Sequence, residues 1–154
     1  MRVRESHILV MILFLSMAGI AIATYLVADH YQVVESVCLY GEDECGSINR
    51  GPYSTIFGVP WSVIGLVGFV IVFVLAYLRL YYAQLDSNYR FIPMILLVSI
   101  VGVIFVIYLN YLELFEIHAI CSWCTISHIF MIVILLLIAW WFFLGRFRDI
   151  EAAK

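Results

Sequence analysis

Residues 121–144 read CSWCTISHIFMIVILLLIAWWFFL, from Cys121 to Leu144. Beyond the opening C-S-W-C this run holds no formal charge, and His128 is its one ionisable side chain outside the cysteines. A helix that crosses a bilayer needs about 20 mostly apolar residues. The run is therefore long enough to span, with two thiols at its mouth. Three further stretches have the same character: Ile8–Ala28, Trp61–Leu78 with an extension through Leu80–Ala83, and Phe91–Leu112.

The composition agrees. The chain is 66% apolar and 12% charged, whereas a soluble domain is about 45–50% apolar and about 25% charged. Lipid is the solvent for most of this sequence. The runs are continuous rather than alternating, which excludes a barrel of period-2 strands. Helices are then the way to satisfy the backbone in hydrocarbon. The reading is an all-α membrane protein: one domain, 1–154, built as a four-transmembrane-helix bundle with helices at about 8–28, 60–83, 91–112 and 121–144. Arg2 and Arg4 ahead of an apolar run resemble a signal peptide. However, the run continues to Ala28, so a retained first helix is expected.

Basic residues collect on the cytoplasmic side of membrane proteins. With the N-terminus inside, Arg2, Arg4, Arg79, Arg90, Arg146, Arg148 and Lys154 fall inside with four acids, a balance of +3. Arg50 alone falls outside, with seven acids, a balance of −6. Both termini are expected in the cytoplasm of a cell with its plasma (inner) membrane as host. Trp61, Tyr77, Tyr81, Tyr82, Trp140 and Trp141 fit interfacial anchors. Nothing basic enough to hold nucleic acid is present.

All four cysteines then lie on the outer face, where disulfides persist. The one long loop, 29–60, carries Cys38 and Cys45 in an acidic segment. A short surface helix around Tyr31–Val37 is expected there, with Val33, Val34 and Val37 on one face. Cys121 and Cys124 are three apart, hence neighbours on a helix. The positive end of the helix dipole favours a thiolate, the nucleophile of thiol–disulfide exchange, while apolar surroundings oppose it. Two structural disulfides, or a four-cysteine zinc site with His118, are alternatives. A two-step dithiol relay uses both pairs and needs no metal.

The chain resembles the vitamin K epoxide reductase family. The matching elements are Cys38…Cys45, then Phe57-Gly58-Val59-Pro60, then Cys121-Ser-Trp-Cys124, in that order. The resemblance implies a four-helix bundle around a quinone pocket. It implies that Cys38 takes electrons from a separate thioredoxin-fold partner, Cys45 exchanges with Cys121, and Cys124 faces an acceptor of ubiquinone or menaquinone type. Ser54, Phe57, Trp61, Asn110 and His128 are the candidate quinone contacts. His128 shares a helix face with the C-x-x-C within about 60°. Asn110 is the most polar residue of its run and serves equally as an interhelical hydrogen-bond donor. Glu113 and Glu116 read as solvated interface charges.

The sequence departs from the family's pattern at three places. Gly51 stands where bacterial and animal members usually have a serine, so Asn49 or Ser54 would replace it. Ser54 stands where an asparagine precedes the Phe-Gly element in the animal enzymes, and His128 stands where their tyrosine follows the C-x-x-C. The last two departures favour a plain respiratory quinone over vitamin K epoxide. Epoxide reduction remains the second reading. A non-catalytic four-span scaffold held by disulfides is the third.

Overall fold

The computed structural model describes residues 2–34, 37, 48–51, 54–56, 58–82 and 91–152. The apolar runs form four helices: α1 (Arg2–His30), α2 (Trp61–Tyr82), α3 (Phe91–Tyr111) and α4 (Ser122–Ala152). Each contains a stretch long and apolar enough to cross a membrane. The fold is therefore the expected four-helix membrane bundle. Each helix packs on two others, in the cyclic order α1–α2–α3–α4 and back to α1. Outward-facing apolar side chains such as Phe14, Ile104 and Leu136 are exposed and face the lipid side.

The helix ends differ from the lengths of the apolar runs. α1 starts at Arg2 rather than near residue 8, and α4 continues to Ala152, past Leu144. Polar residues at the membrane surface keep helical bonds, so hydropathy marks the span and not the helix. α3 gives way to a π-helical turn, Leu112–Ile117, closed at His118 in the left-handed conformation (φ 55°). The expected helix over Tyr31–Val37 is not formed in its described part. Residues 31–34 make turns, with Gln32 at φ 57°, and Val33 and Val34 are exposed. A positive φ at Gln32 ends the right-handed path of α1.

The core has two parts. Ile12, Val72, Ile95, Ile134 and Ile138 lie fully buried in the larger one. Here α1 meets α2 at Gly19: a Cβ there would come within 2.5 Å of the Phe69 ring. Ser16 and Ser99, both buried, donate to the carbonyls of Ile12 (2.6 Å) and Ile95 (2.8 Å) one turn back. These two hydroxyls are then not left unpaired in hydrocarbon. Near the far end of α2, Arg79 is buried, with its guanidinium 5.8 Å from the Trp141 ring centre. Trp140 faces outward as an anchor would, whereas Trp141 packs inward.

The smaller part lies at the cysteine end, where Leu26, Ile48 and Cys121 are buried together. The chain between α1 and α2 is stapled there. Asn49 donates through Nδ2 to the Leu26 carbonyl (2.6 Å) and to Asp29 Oδ2 (2.8 Å). Arg50 lies 3.5 Å from Asp29 Oδ1, and His30 Nδ1 donates to the Asn49 carbonyl. Asp29, expected as a loop charge, is therefore buried. A two-stranded antiparallel ladder, β1 (Thr55–Ile56) with β2 (Val59–Pro60), leads into α2. Gly58 makes its turn at φ 80°, a conformation that suits glycine. Pro60 ends β2, so α2 begins one residue after it, at Trp61.

Candidate redox and quinone site

Cys121 and Cys124 are joined as a disulfide, with Cα atoms 5.2 Å apart. Their positions follow from the start of α4. Cys121 occupies the N-cap place: its carbonyl accepts from Thr125 N (2.9 Å) and from Thr125 Oγ1 (3.0 Å). Its sulfur accepts from the Cys124 backbone N–H at 3.2 Å, the bond a capping oxygen would otherwise make. Cys121 is fully buried, whereas Cys124, one turn along, opens on a cavity. Two cysteines three residues apart thus have different neighbours.

The cavity has a volume of about 480 Å³ and lies between α2, α3 and α4. Its walls are mostly apolar, with Val67, Phe69, Leu97, Val101, Phe105 and Met131 among them. Its polar lining comes from Asn49, Ser54, Ser62, Glu113, Ser127 and His128, beside Cys124. A pocket of this size with apolar walls and a few convergent polar groups is the ordinary form of a small-molecule site. It suits a flat ring bearing two oxygens on an apolar tail.

His128 is 8% exposed and lines the cavity one turn below Cys124. Its Nδ1 lies 3.1 Å from Asn110 Nδ2, which also donates to the Val106 carbonyl at 2.8 Å. A carbonyl oxygen only accepts, so the amide atom facing Val106 is the nitrogen. Its second hydrogen then points at His128 Nδ1, which makes Nδ1 an acceptor. The proton of the neutral ring is left on Nε2. Asn110 itself does not line the cavity; it acts through His128.

The other candidates divide. Trp61 lines the cavity and packs against Phe105 (4.9 Å between centroids) and Tyr108 (5.8 Å), forming an aromatic wall between α2 and α3. Ser54 is buried at the cavity edge, and its carbonyl accepts from Trp61 N at 3.1 Å. Asn49 is committed to the loop staple through both amide hydrogens. Phe57, Cys38 and Cys45 lie outside the described residues.

Two features escape a reading of the sequence. Val37, the residue before Cys38, is held from two sides. Its N–H donates to the Tyr25 hydroxyl at 2.8 Å, and Trp123 Nε1 donates to its carbonyl at 2.7 Å. The Tyr25 and Trp123 rings pack at 5.7 Å. The tryptophan between the two membrane cysteines thus grips the chain that leads into the loop pair. The second feature is Glu113. It was expected at the surface, but it is 5% exposed and lines the cavity. Its position three residues after Asn110, on one helix face, is the signal that could have found it.

A helical membrane bundle with a cysteine pair opening on an apolar cavity fits the class of membrane oxidoreductases. Residues 10–139 match the model of the vitamin K epoxide reductase family, and the chain belongs to that family. Its members are membrane oxidoreductases that use quinones. No curated protein matches the chain.

Proposed function

We propose that the protein oxidises a reduced thioredoxin-fold partner and passes the electrons to a quinone, supporting disulfide bond formation outside the cell. Electrons enter at Cys38–Cys45, move to Cys121–Cys124 by thiol–disulfide exchange, and leave from Cys124. The reading has both termini in the cytoplasm and the cysteine end on the outer face of the plasma membrane. The charge asymmetry of the sequence supports that orientation.

The observation that carries the reading is the split environment of the C-x-x-C. Cys121 is fully buried beside Leu26 and Ile48, while Cys124 opens on the cavity beside His128. In this reading Cys121 exchanges with a loop thiol and Cys124 meets the bound ring. A quinone supplies a two-electron acceptor with two oxygens that take protons. His128 Nε2–H can donate a hydrogen bond to one of those oxygens. Trp61 and Phe105 offer flat surfaces against which a ring can stack. The apolar walls keep water from the transfer.

The test is oxidation of a reduced thioredoxin-fold protein by the purified chain in the presence of ubiquinone or menaquinone. Quinone-dependent oxidation that Cys124→Ala abolishes is the expected result. An unchanged rate in that variant overturns the path.

A further inference from the structure

The sequence pairs Glu113 and Glu116 as surface charges, but the structure separates them. Glu116 is exposed, whereas Glu113 is buried and lines the cavity. The local backbone does not need a carboxylate there. The π-helical turn closes on the Glu113 carbonyl, which accepts from His118 N and from Ala119 N (3.3 Å), and any residue supplies a carbonyl. An ionisable side chain in a membrane helix is costly, and one that faces a cavity marks a proton or substrate path.

We propose that Glu113 is the proton-transfer residue of the cavity, giving a proton to a quinone oxygen as the Cys121–Cys124 dithiol is oxidised. This rests on the quinone reading above. Two thiols closing to one disulfide release two electrons and two protons. A quinone becoming a quinol takes up two of each. The carboxyl group gives one proton and recovers one, so its net state is unchanged.

The surroundings single out Glu113 for the task. α4 presents His128 and Cys124 to the cavity; α2 presents Ser62 and Trp61; the segment before α2 presents Asn49 and Ser54; α1 presents only Ala23 and Leu26. No cationic side chain is among the described lining residues, and Arg50 lies against Asp29 instead. His128 can orient a ring oxygen through Nε2–H. It is poorly built to relay a proton, because reprotonation would place a hydrogen on Nδ1 against the Asn110 N–H. Glu113 is the carboxyl group that remains. The Ser62 hydroxyl, buried and without a hydrogen-bond partner, lines the same cavity and is free to bond a ligand or a water there.

The test uses the whole chain in detergent or nanodiscs with a short-chain ubiquinone. Reoxidation of the reduced dithiol is followed in a single turnover across pH, and quinone affinity is read from tryptophan quenching. Glu113→Gln is expected to slow reoxidation on the order of 10²-fold. It should flatten the pH profile and leave the dissociation constant within about 3-fold. Glu113→Asp should recover part of the rate. Wild-type rate and pH profile in Glu113→Gln overturn the assignment, as does a slowdown matched by lost affinity. Should that variant not fold, redox-difference infrared spectra of the wild type and Glu113→Asp decide. A carboxyl band that changes on quinone reduction, and moves in the aspartate variant, is expected; a silent carboxyl region overturns it. A wild-type protein that no quinone reoxidises removes the functional reading itself, and Glu113 with it.

Discussion

The two halves of the bundle solve the same packing problem differently. Away from the cysteines, Ile12, Val72, Ala76, Ile95, Ile134 and Ile138 fill the centre, and the buried serines spend their hydroxyls on their own helices. At the cysteine end the helices part around a cavity of about 480 Å³. Polar groups there also bond between elements: Asn49 to Asp29, Asn110 to His128, Trp123 to Val37. One half holds the helices at fixed spacing. The other uses that spacing to bring Cys124, His128 and Glu113 to one cavity. Chemistry is confined to one end because the other is filled.

The largest break in this comparison is expected from Cys124→Ala. It should lower quinone-dependent thiol oxidation by more than about 10³-fold, since it removes the sulfur that faces the cavity. Thermal unfolding of the reduced protein should hardly move. A residual rate near wild type would mean that the cavity is not the electron exit.

Gly19→Ala probes the border between the halves, because Phe69 belongs to the larger core and also lines the cavity. The added Cβ meets the Phe69 ring at 2.5 Å. Overpacking of this kind costs about 1–3 kcal/mol, read as a lower unfolding midpoint in a fixed detergent. The displaced ring also walls the cavity, so activity per folded molecule should fall as well. Unchanged activity at a lowered midpoint would show that the two halves are independent.

Trp123→Phe sharpens the cysteine end. The ring contact with Tyr25 is kept and the hydrogen bond to Val37 is lost. One such bond contributes about 1 kcal/mol, so partner-driven turnover should fall about 5-fold. Oxidation of a small dithiol that reaches Cys121–Cys124 directly should not change. Equal losses with both donors would show that the tryptophan serves the helix start rather than the loop.

Asn110→Leu should have the smallest effect. Interhelical hydrogen bonds in membranes average about 0.6 kcal/mol, so the quinone KM should rise about 3-fold. Nitrogen NMR shifts of His128 should show mixed tautomers. A single Nε2–H tautomer in the variant would show that Asn110 does not set it.

The spans were legible because lipid leaves the backbone few options, and about 20 apolar residues announce a helix wherever they occur. The C-x-x-C at the mouth of the last run was legible for the same reason. His128 was legible by helical arithmetic from Cys124. Glu113 was not. It follows the last residue of an apolar run, where hydropathy expects solvent, and its spacing from Asn110 is a weak signal against that. The inward turn of Asp29 was equally hidden, since Asn49 and Arg50 meet it from about twenty residues away. The grip on Val37 joins residues 86 apart, beyond any local pattern.

By itself, then, the sequence determined the solvent, the number of spans, the order of the cysteine pairs and the family, because these depend on local composition and spacing. Only the tertiary structure decided which ring nitrogen of His128 bears the proton, which glutamate is buried and what Asp29 meets. Those depend on how four helices of similar apolar character rotate and pack about one another. That rotation is set by a few close contacts, Gly19 against Phe69 among them, rather than by hydropathy.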